Sequence, residues 1–195
     1  MLKNLLADKK LILASGSPRR LQFLHDLGLE FEIRPIDIEE IYPEELKDEE
    51  ITDYLAALKG NVFTDLQKDE IVVTSDTIVW HNDVALGKPK DYEHAFEMLT
   101  TLSDSTHNVI TSVFIKSNAN ELLFHDVTRV TFAKLSKEEI NYYLENFKPF
   151  DKAGAYGIQD WIGLVAISKI EGSYTNVVGL PTEKFYANLS KFVTL

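Results

Sequence analysis

The stretch "LILASGSPRR" at residues 11–20 predicts a short buried strand that passes through a small-residue loop into a helix. Residues 11–14 form the apolar run, Ser17 is a typical helix N-cap, and Pro18 suits the first helical position. Apolar residues then recur at helical spacing up to Gly28. The stretch therefore predicts a strand, a loop and a helix in direct succession.

Two cations, Arg19 and Arg20, stand in the first turn of this helix, where the helix dipole favours acids. The backbone N–H groups of a helix N-terminus, together with the hydroxyls of Ser15 and Ser17, could bind a phosphate that explains both arginines. The alternative is a pair of surface arginines that form ion pairs with nearby glutamates. Because short motifs often match by chance, these residues alone leave both interpretations open.

Composition limits the possible class of protein. A length of 195 residues fits one large domain or two small lobes that share a core. The net charge of −11 argues against binding to polymeric nucleic acid, which depends on lysine and arginine. The chain has no cysteine, no signal peptide and no membrane-length apolar run, so we expect a cytoplasmic protein.

Helix and strand patterns alternate along the rest of the chain without linkers or repeats. Residues 70–86 predict two strands around a turn at His81, and residues 107–135 predict a long hairpin that turns at residues 117–120. Ser136 and Glu139 form a capping-box pattern. The remaining predictions are strands at 30–36 and 163–172, and helices at 48–66 (with Ile51, Leu55, Leu58 and Val62 inward), 91–103, 136–147 and 181–192. This mixture predicts a mixed α/β sheet.

Asp76 interrupts the nearly continuous apolar run "IVVTSDTIVW". A buried carboxylate needs a partner or a metal, so Asp76 is a candidate functional residue; pairing with Lys88 or an arginine, or a place at the strand end, is the structural alternative. Lys88 lies in "GKPKD", between a glycine and a proline. Glu39 and Glu40 open an acidic stretch that either faces solvent or binds a hard divalent ion.

The segment "KPFDKAGAYGIQ" at residues 148–159 combines small residues with polar ones. Its small residues would let a ligand approach the backbone closely. The amide of Gln159 both donates and accepts hydrogen bonds, so it could bind the edge of a base. The five histidines are scattered and are interpreted as surface or hairpin residues.

Together these segments resemble the Maf family of nucleotide pyrophosphatases, also called septum formation inhibitors. The resemblance runs from residue 11 to residue 181 and is carried by "LILASGSPRR", "IEE" at 38–40, Lys59, "SDTIV", "LGKP", "SDSTHNVITSV", "DKAGAYGIQ" and "GSYTNVVGLP". It implies a single Maf-like domain over residues 1–195. The implied fold is ITPase-like: an elongated mixed β-sheet flanked by helices, in two lobes with a central cleft.

The same resemblance implies hydrolysis of a nucleoside triphosphate to the monophosphate and pyrophosphate with a divalent cation (Mg²⁺, Mn²⁺ or Co²⁺). Asp76 would be the proton acceptor and, with Glu39, a metal ligand, and Lys88 would be the second catalytic residue. The implied substrate-binding residues are Ser15, Ser17, Arg19, Arg20, Lys59, Thr77, Lys152 and Gln159. A homodimer is a further expectation.

Within the family, "DKAGAYGIQ" resembles the branch that acts on dTTP and UTP, in which Arg19, Thr77 and Gln159 match positions used for substrate choice. Ser75, Gly60 and Asp160 depart from the usual residues, which are Ala or Gly, Ala, and Gly respectively. Three alternatives follow: a catalytically silent nucleotide-binding regulator of cell division, a family member that prefers another base, and a nucleic-acid-binding regulator that the charge disfavours.

Overall fold

The computed structural model describes residues 1–194, and the chain forms two compact units. The first unit comprises Met1–Asp76, Thr111–Asp126 and the segment that begins at Gly179. The second comprises Thr77–Ile110 and Val127–Val178. Leu195, the predicted end of the Maf-like domain, lies outside the described residues.

Seven strands form a mixed sheet. They are β1 (Lys10–Leu13), β2 (Glu32–Ile33), β3 (Glu70–His81), β4 (Val84–Leu86), β5 (Thr106–Lys116), β6 (Glu121–Phe132) and β7 (Ile167–Glu171), in the order β2-β1-β3-β5-β6-β7 with β4 on β3. Strand β1 pairs in parallel with β2 and β3, whereas β4 on β3 and β7 on β6 are antiparallel. The predicted mixed α/β sheet is therefore confirmed.

Helices flank this sheet. They are α1 (Leu2–Leu5), α2 (Pro18–Asp26), α3 (Glu49–Gly60), α4 (Tyr92–Leu102), α5 (Lys137–Phe147), α6 (Trp161–Val165), α7 (Tyr174–Val178) and α8 (Thr182–Phe192), with a 3₁₀ turn at Ala153–Ala155. The capping box predicted for α5 is confirmed, because the Ser136 hydroxyl accepts from the N–H of Glu139 and the Glu139 carboxylate accepts from the N–H of Ser136.

The first unit buries side chains on both faces of its parallel strands. On one face, Leu11 and Leu13 of β1 pack with Leu24 of α2 and Phe185 of α8. On the other face, Ile12 packs with a cluster that includes Val72 and the partly buried Phe63 and Leu66. Both faces of β1 are covered, as is usual for parallel strands, and this explains why residues 11–14 read as continuously apolar.

The second unit has its own core. Leu99 and Leu102 of α4 and Tyr143 of α5 are fully buried with Phe132 of β6. Tyr156 and Ile158, from the "DKAGAYGIQ" segment, belong to the same cluster. The segment predicted to approach a ligand is thus anchored by apolar side chains in the core.

Several predicted elements differ in extent from the observed ones. Residues 30–36 contain only the two-residue strand β2, and Val62, predicted to face inward, is 50% exposed because α3 already ends at Gly60. Residues 163–172 begin in α6 and only then enter β7. Within residues 1–194, each helix is too short or too polar to cross a bilayer.

Candidate active site

The loop after β1 begins beside β3. The Ala14 N–H donates to the Val73 carbonyl at 2.9 Å, and Val73 pairs with Leu13 at the end of β1. Ser15 is buried, and its hydroxyl accepts from the Ser17 N–H at 3.2 Å. Ser17 is the N-cap residue of α2, but within residues 1–194 its side chain makes no capping hydrogen bond. The loop therefore brings two hydroxyls and the start of a helix to the carboxyl ends of parallel strands, where ligands commonly bind in α/β folds.

Arg20 joins this loop to two other segments of the first unit. Its Nε donates to the Gly179 carbonyl at 2.8 Å, and one terminal nitrogen donates to the Ser75 carbonyl at 2.9 Å and approaches the Ser15 hydroxyl at 3.4 Å. Burial lowers the pKa of the Arg20 guanidinium below its ordinary value, and the nearby negative charge of Asp76 acts in the opposite direction. Arg20 is half-buried, and its bond to the carbonyl of Ser75 holds the guanidinium at the residue that precedes Asp76. Arg19 is also half-buried.

Asp76 is buried in the middle of β3 and pairs with Lys59 near the end of α3. The Lys59 ammonium lies 2.5 Å from Asp76 Oδ1 and 2.7 Å from Glu40 Oε1. This ion pair supplies the opposite charge that a buried carboxylate requires. The sequence predicts a charged partner for Asp76, and the structure places Lys59 in contact with it, a residue that the sequence did not suggest as its partner.

Two carboxylates, Asp76 and Glu40, thus converge on one ammonium. Glu39, the predicted metal ligand, is exposed. Within residues 1–194 no group of three or more acidic, histidine or cysteine side chains is arranged to hold a metal ion. Mg²⁺ commonly needs only one or two carboxylates when substrate phosphates complete its shell. Asp76 and Glu40 carry oxygen donors of the type that such a cation binds, and both are bonded to Lys59 in this structure.

Two of the unusual residues near Asp76 have distinct surroundings. A side-chain carbon at Gly60 would overlap the ring of Phe114, which is 5% exposed and cannot swing into solvent. Glycine at this position therefore matches the bulk of Phe114. The Ser75 hydroxyl is buried, and among the described residues it makes no hydrogen bond.

In the second unit, the loop that carries Lys88 is attached to the "DKAGAYGIQ" segment. The Gly154 N–H donates to the Gly87 carbonyl at 3.0 Å. Gly154 has φ +65°, and a Cβ there would lie 2.7 Å from a Val79 methyl, so both conformation and space require glycine. Lys88 itself is exposed, and Thr77, the residue after Asp76, is half-buried.

Lys152, Gln159 and Asp160 gather around Gly157. A Cβ on Gly157 would lie 2.6 Å from Asp160 Oδ2, 2.9 Å from Gln159 Nε2 and 2.9 Å from Lys152 Cε. The structure thus brings together Lys152 and Gln159, two predicted substrate-binding residues, and places Asp160 beside them. Gln159 is exposed.

A buried histidine supports the same segment. His107 Nε2 lies 2.8 Å from the Tyr156 hydroxyl, and among the described residues His107 Nδ1 has no hydrogen-bond partner. Burial lowers the pKa of His107 to about 3, with a smaller effect from His81, so the ring is neutral. Both His81 and His107 are on hairpin strands, as interpreted from the sequence, but they are buried.

Sequence reasoning did not identify Tyr143 or the pairing of Glu40 with Lys59. Tyr143 is fully buried on α5 and bonds to Gly157 and Asp160. Its place in the helical pattern of α5 predicts a core residue, and nothing in the neighbouring sequence indicates that its hydroxyl forms hydrogen bonds. The spacing of Glu40, Lys59 and Asp76 along the chain likewise carries no sign that they meet.

Comparison with known proteins assigns the family. The model for Maf-like proteins matches residues 10–192. A dTTP/UTP pyrophosphatase of Flavobacterium johnsoniae is 61% identical over 99% of this chain and 100% of its own length. A protein of Christiangramia forsetii that is also named dTTP/UTP pyrophosphatase is 53% identical over 99% of each chain.

A solved structure supports the fold. The HAM1 protein of Coxiella burnetii superposes with a TM-score of 0.52 at 15% identity, over 94% of this chain and 99% of that one. At this identity the likeness concerns the fold alone, which is the ITPase-like arrangement expected from the resemblance. With the family match over nearly its whole length, the chain belongs to the Maf family.

Proposed function

We propose that this protein hydrolyses dTTP and UTP to the nucleoside monophosphate and pyrophosphate. The observation that carries the proposal is the buried pair of Asp76 and Lys59, which places a carboxylate and an ammonium 2.5 Å apart beside the loop that carries Ser15. The relatives of the same name, which match over the full chain, support the choice of substrates.

In this proposal Asp76 is the general base. It accepts a proton from the water that attacks the α-phosphorus, the bond from that phosphorus to the bridging oxygen breaks, and pyrophosphate leaves. Hydrolysis of this kind depends mainly on positioning and on neutralising phosphate charge. Ser15, Ser17, Arg20, Lys59 and Lys88 would bind the phosphates. Arg19, Thr77, Lys152 and Gln159 would contact the rest of the nucleotide.

A divalent cation belongs to the proposal as the cofactor. It would be Mg²⁺, Mn²⁺ or Co²⁺, held by Asp76 and Glu39, and when bound it would neutralise charge on the phosphates. Glu40, the neighbour of Glu39, is engaged by Lys59 at 2.7 Å. Hard oxygen donors of this type support a cation that completes its shell with substrate oxygens.

The remaining parts of the proposal concern the protein as a whole. We propose one Maf-like domain over residues 1–195, supported by relatives of matching length. We also propose that the protein acts in the cytoplasm, which fits the absence of cysteine from the sequence.

A homodimer is proposed as well. Exposed apolar side chains on α6, Leu164 and Val165, support it, and light scattering tests it.

An assay that measures pyrophosphate released from each nucleotide tests the activity. With Mg²⁺, we expect pyrophosphate from dTTP and UTP and slow turnover of ATP and GTP, and we expect EDTA to stop the reaction. Orthophosphate as the first product would contradict attack at the α-phosphorus. Tight binding of dTTP without turnover would instead favour a silent regulator, and faster turnover of GTP would favour another base.

A further inference from the structure

The predicted base-contacting residue, Gln159, stands on a tight turn. The Asp160 N–H donates to the Gly157 carbonyl at 3.0 Å, which closes a four-residue β-turn over residues 157–160. Gln159 is at the third position of this turn, and its side chain is exposed. The direction of its amide therefore depends on how firmly the two ends of the turn are held.

One hydroxyl holds both ends. The Gly157 N–H donates to the Tyr143 hydroxyl at 3.0 Å, and this hydroxyl donates to Asp160 Oδ2 at 2.8 Å. The Lys152 ammonium lies 3.7 Å from the same carboxylate oxygen. A continuous chain of polar contacts thus runs from the first residue of the turn, through Tyr143, to the last residue and on to Lys152. Linked hydrogen bonds of this kind strengthen one another.

Tyr143 is itself immobilised. Its side chain is fully buried, and its ring stacks on Phe147 with 5.3 Å between the ring centroids. Burial, reinforced by the bond to Asp160, raises the pKa of the Tyr143 phenol, so the group keeps its proton and remains a donor. The turn is therefore fastened to a rigid point on α5.

We propose that Tyr143 and Asp160 are positioning residues that set base selectivity by holding the turn that carries Gln159. This inference rests on the proposed function, because it assigns a purpose to Gln159 as a contact to the base. An amide distinguishes bases only when its oxygen and its nitrogen face the correct edge atoms. A looser turn would let the amide adapt to the wrong base, whereas contacts to the phosphates would be unchanged.

Three single variants test the proposal. Tyr143→Phe keeps the ring and removes the hydroxyl that bonds to both ends of the turn. Asp160→Asn keeps an oxygen that can accept from Tyr143 but removes the charge near Lys152. Tyr142→Phe is the matched control: it lies one residue away on α5, it is 48% exposed, and its ring contacts Trp161 rather than the turn.

The measurement is binding of α,β-imido-dTTP and α,β-imido-dGTP by calorimetry. We expect Tyr143→Phe to lower the ratio of the two affinities about tenfold, the size of effect typical of one lost buried hydrogen bond. Asp160→Asn, whose amide oxygen accepts a weaker hydrogen bond from Tyr143 than the carboxylate does, should lower the ratio by a smaller factor, and Tyr142→Phe should leave it unchanged. Hydrogen exchange at the Gly157 amide should be faster in Tyr143→Phe alone.

A lower melting temperature for Tyr143→Phe with an unchanged affinity ratio would overturn the proposal, since Tyr143 would then only stabilise the fold. An equal loss of affinity for both nucleotides would overturn it as well. Failure of the proposed function is seen separately: the wild-type protein would then release no pyrophosphate from dTTP, although the affinity ratios of the variants would still decide the role of Tyr143.

Discussion

The Lys59 ammonium lies 2.5 Å from the Asp76 carboxylate, and this contact ties the last turn of α3 to the middle of β3. A second bond joins the same two elements, because the Thr74 hydroxyl donates to the Ala56 carbonyl at 2.6 Å. A charge that we propose to act in catalysis is thus built into the packing of a helix on a strand. Substitutions at the pair should therefore change both activity and stability.

Replacement of the proposed base should separate turnover from binding. Asp76→Asn preserves shape but cannot accept the proton of water, so turnover of dTTP should fall by roughly 100-fold or more. Affinity for the nucleotide should remain, because repulsion between the carboxylate and phosphate is removed. Initial rates and calorimetry measure the two effects. Asp69→Asn, on a surface carboxylate 3.5 Å from Lys10, is the control and should behave like the wild type.

Loss of the buried ammonium should destabilise the fold. Lys59→Met leaves Asp76 buried without this partner, and breaking a buried pair in this way costs about 3 kcal/mol or more. The double variant Lys59→Met/Asp76→Asn should recover part of that loss, because no uncompensated carboxylate remains. Urea denaturation of the wild type, Lys59→Met, Asp76→Asn and the double variant gives the coupling free energy between the two side chains. Purely additive losses would show that the two side chains do not stabilise the fold through their mutual contact.

The two arginines of α2 should differ in effect. Arg20→Ala should weaken binding of every nucleotide about tenfold to a hundredfold, as expected for a charge-assisted phosphate contact. It should also lower the melting temperature, because bonds to the Gly179 and Ser75 carbonyls are lost. Arg19→Ala should instead change the ratio of pyrimidine to purine turnover. Unchanged kinetics in both variants would show that neither arginine contacts the nucleotide.

Buried His107 predicts a loss of stability in acid. Its folded-state pKa is lowered to about 3, whereas an unfolded histidine has a pKa of about 6.5. Between these values the unfolded chain binds a proton that the folded protein does not, so stability is retained above about pH 6.5 and falls as the pH drops. By pH 5 the loss from this group is about 2 kcal/mol.

Urea denaturation at pH 7 and pH 5 measures this effect. His107→Gln should remove the extra loss, because glutamine does not titrate. Tyr156→Phe, which removes the hydroxyl 2.8 Å from His107 but leaves the histidine buried, should keep it. Equal acid sensitivity in the wild type and His107→Gln would show that another group is responsible.

Local patterns sufficed for much of the fold. The apolar run of β3, the capping box of α5 and the long β5–β6 hairpin all have signals within a few residues of one another. Strand β2 and the start of α6 did not follow their patterns, because pairing with β1 extends only over residues 32–33 and residues 161–165 form a helical turn instead. The extent of β2 is thus set by its pairing with a strand distant in the sequence, which a local pattern does not contain.

The residue types of the candidate site stand out in the sequence, whereas the contacts between them do not. Asp76 was conspicuous because a carboxylate interrupts an apolar strand. Its contact with Lys59 depends on how α3 packs, and the role of Tyr143 depends on how α5 meets the turn at residues 157–160. Neither contact follows from a regular spacing of residues in the sequence, so only the folded structure shows it.

The contact between Gly60 and Phe114 has a historical consequence. Because a methyl group at position 60 would overlap the Phe114 ring, alanine at position 60 requires that ring to move or a smaller side chain at position 114. A lineage that first acquires a smaller side chain at position 114 therefore accepts alanine at position 60 at a lower cost in stability than one that retains phenylalanine.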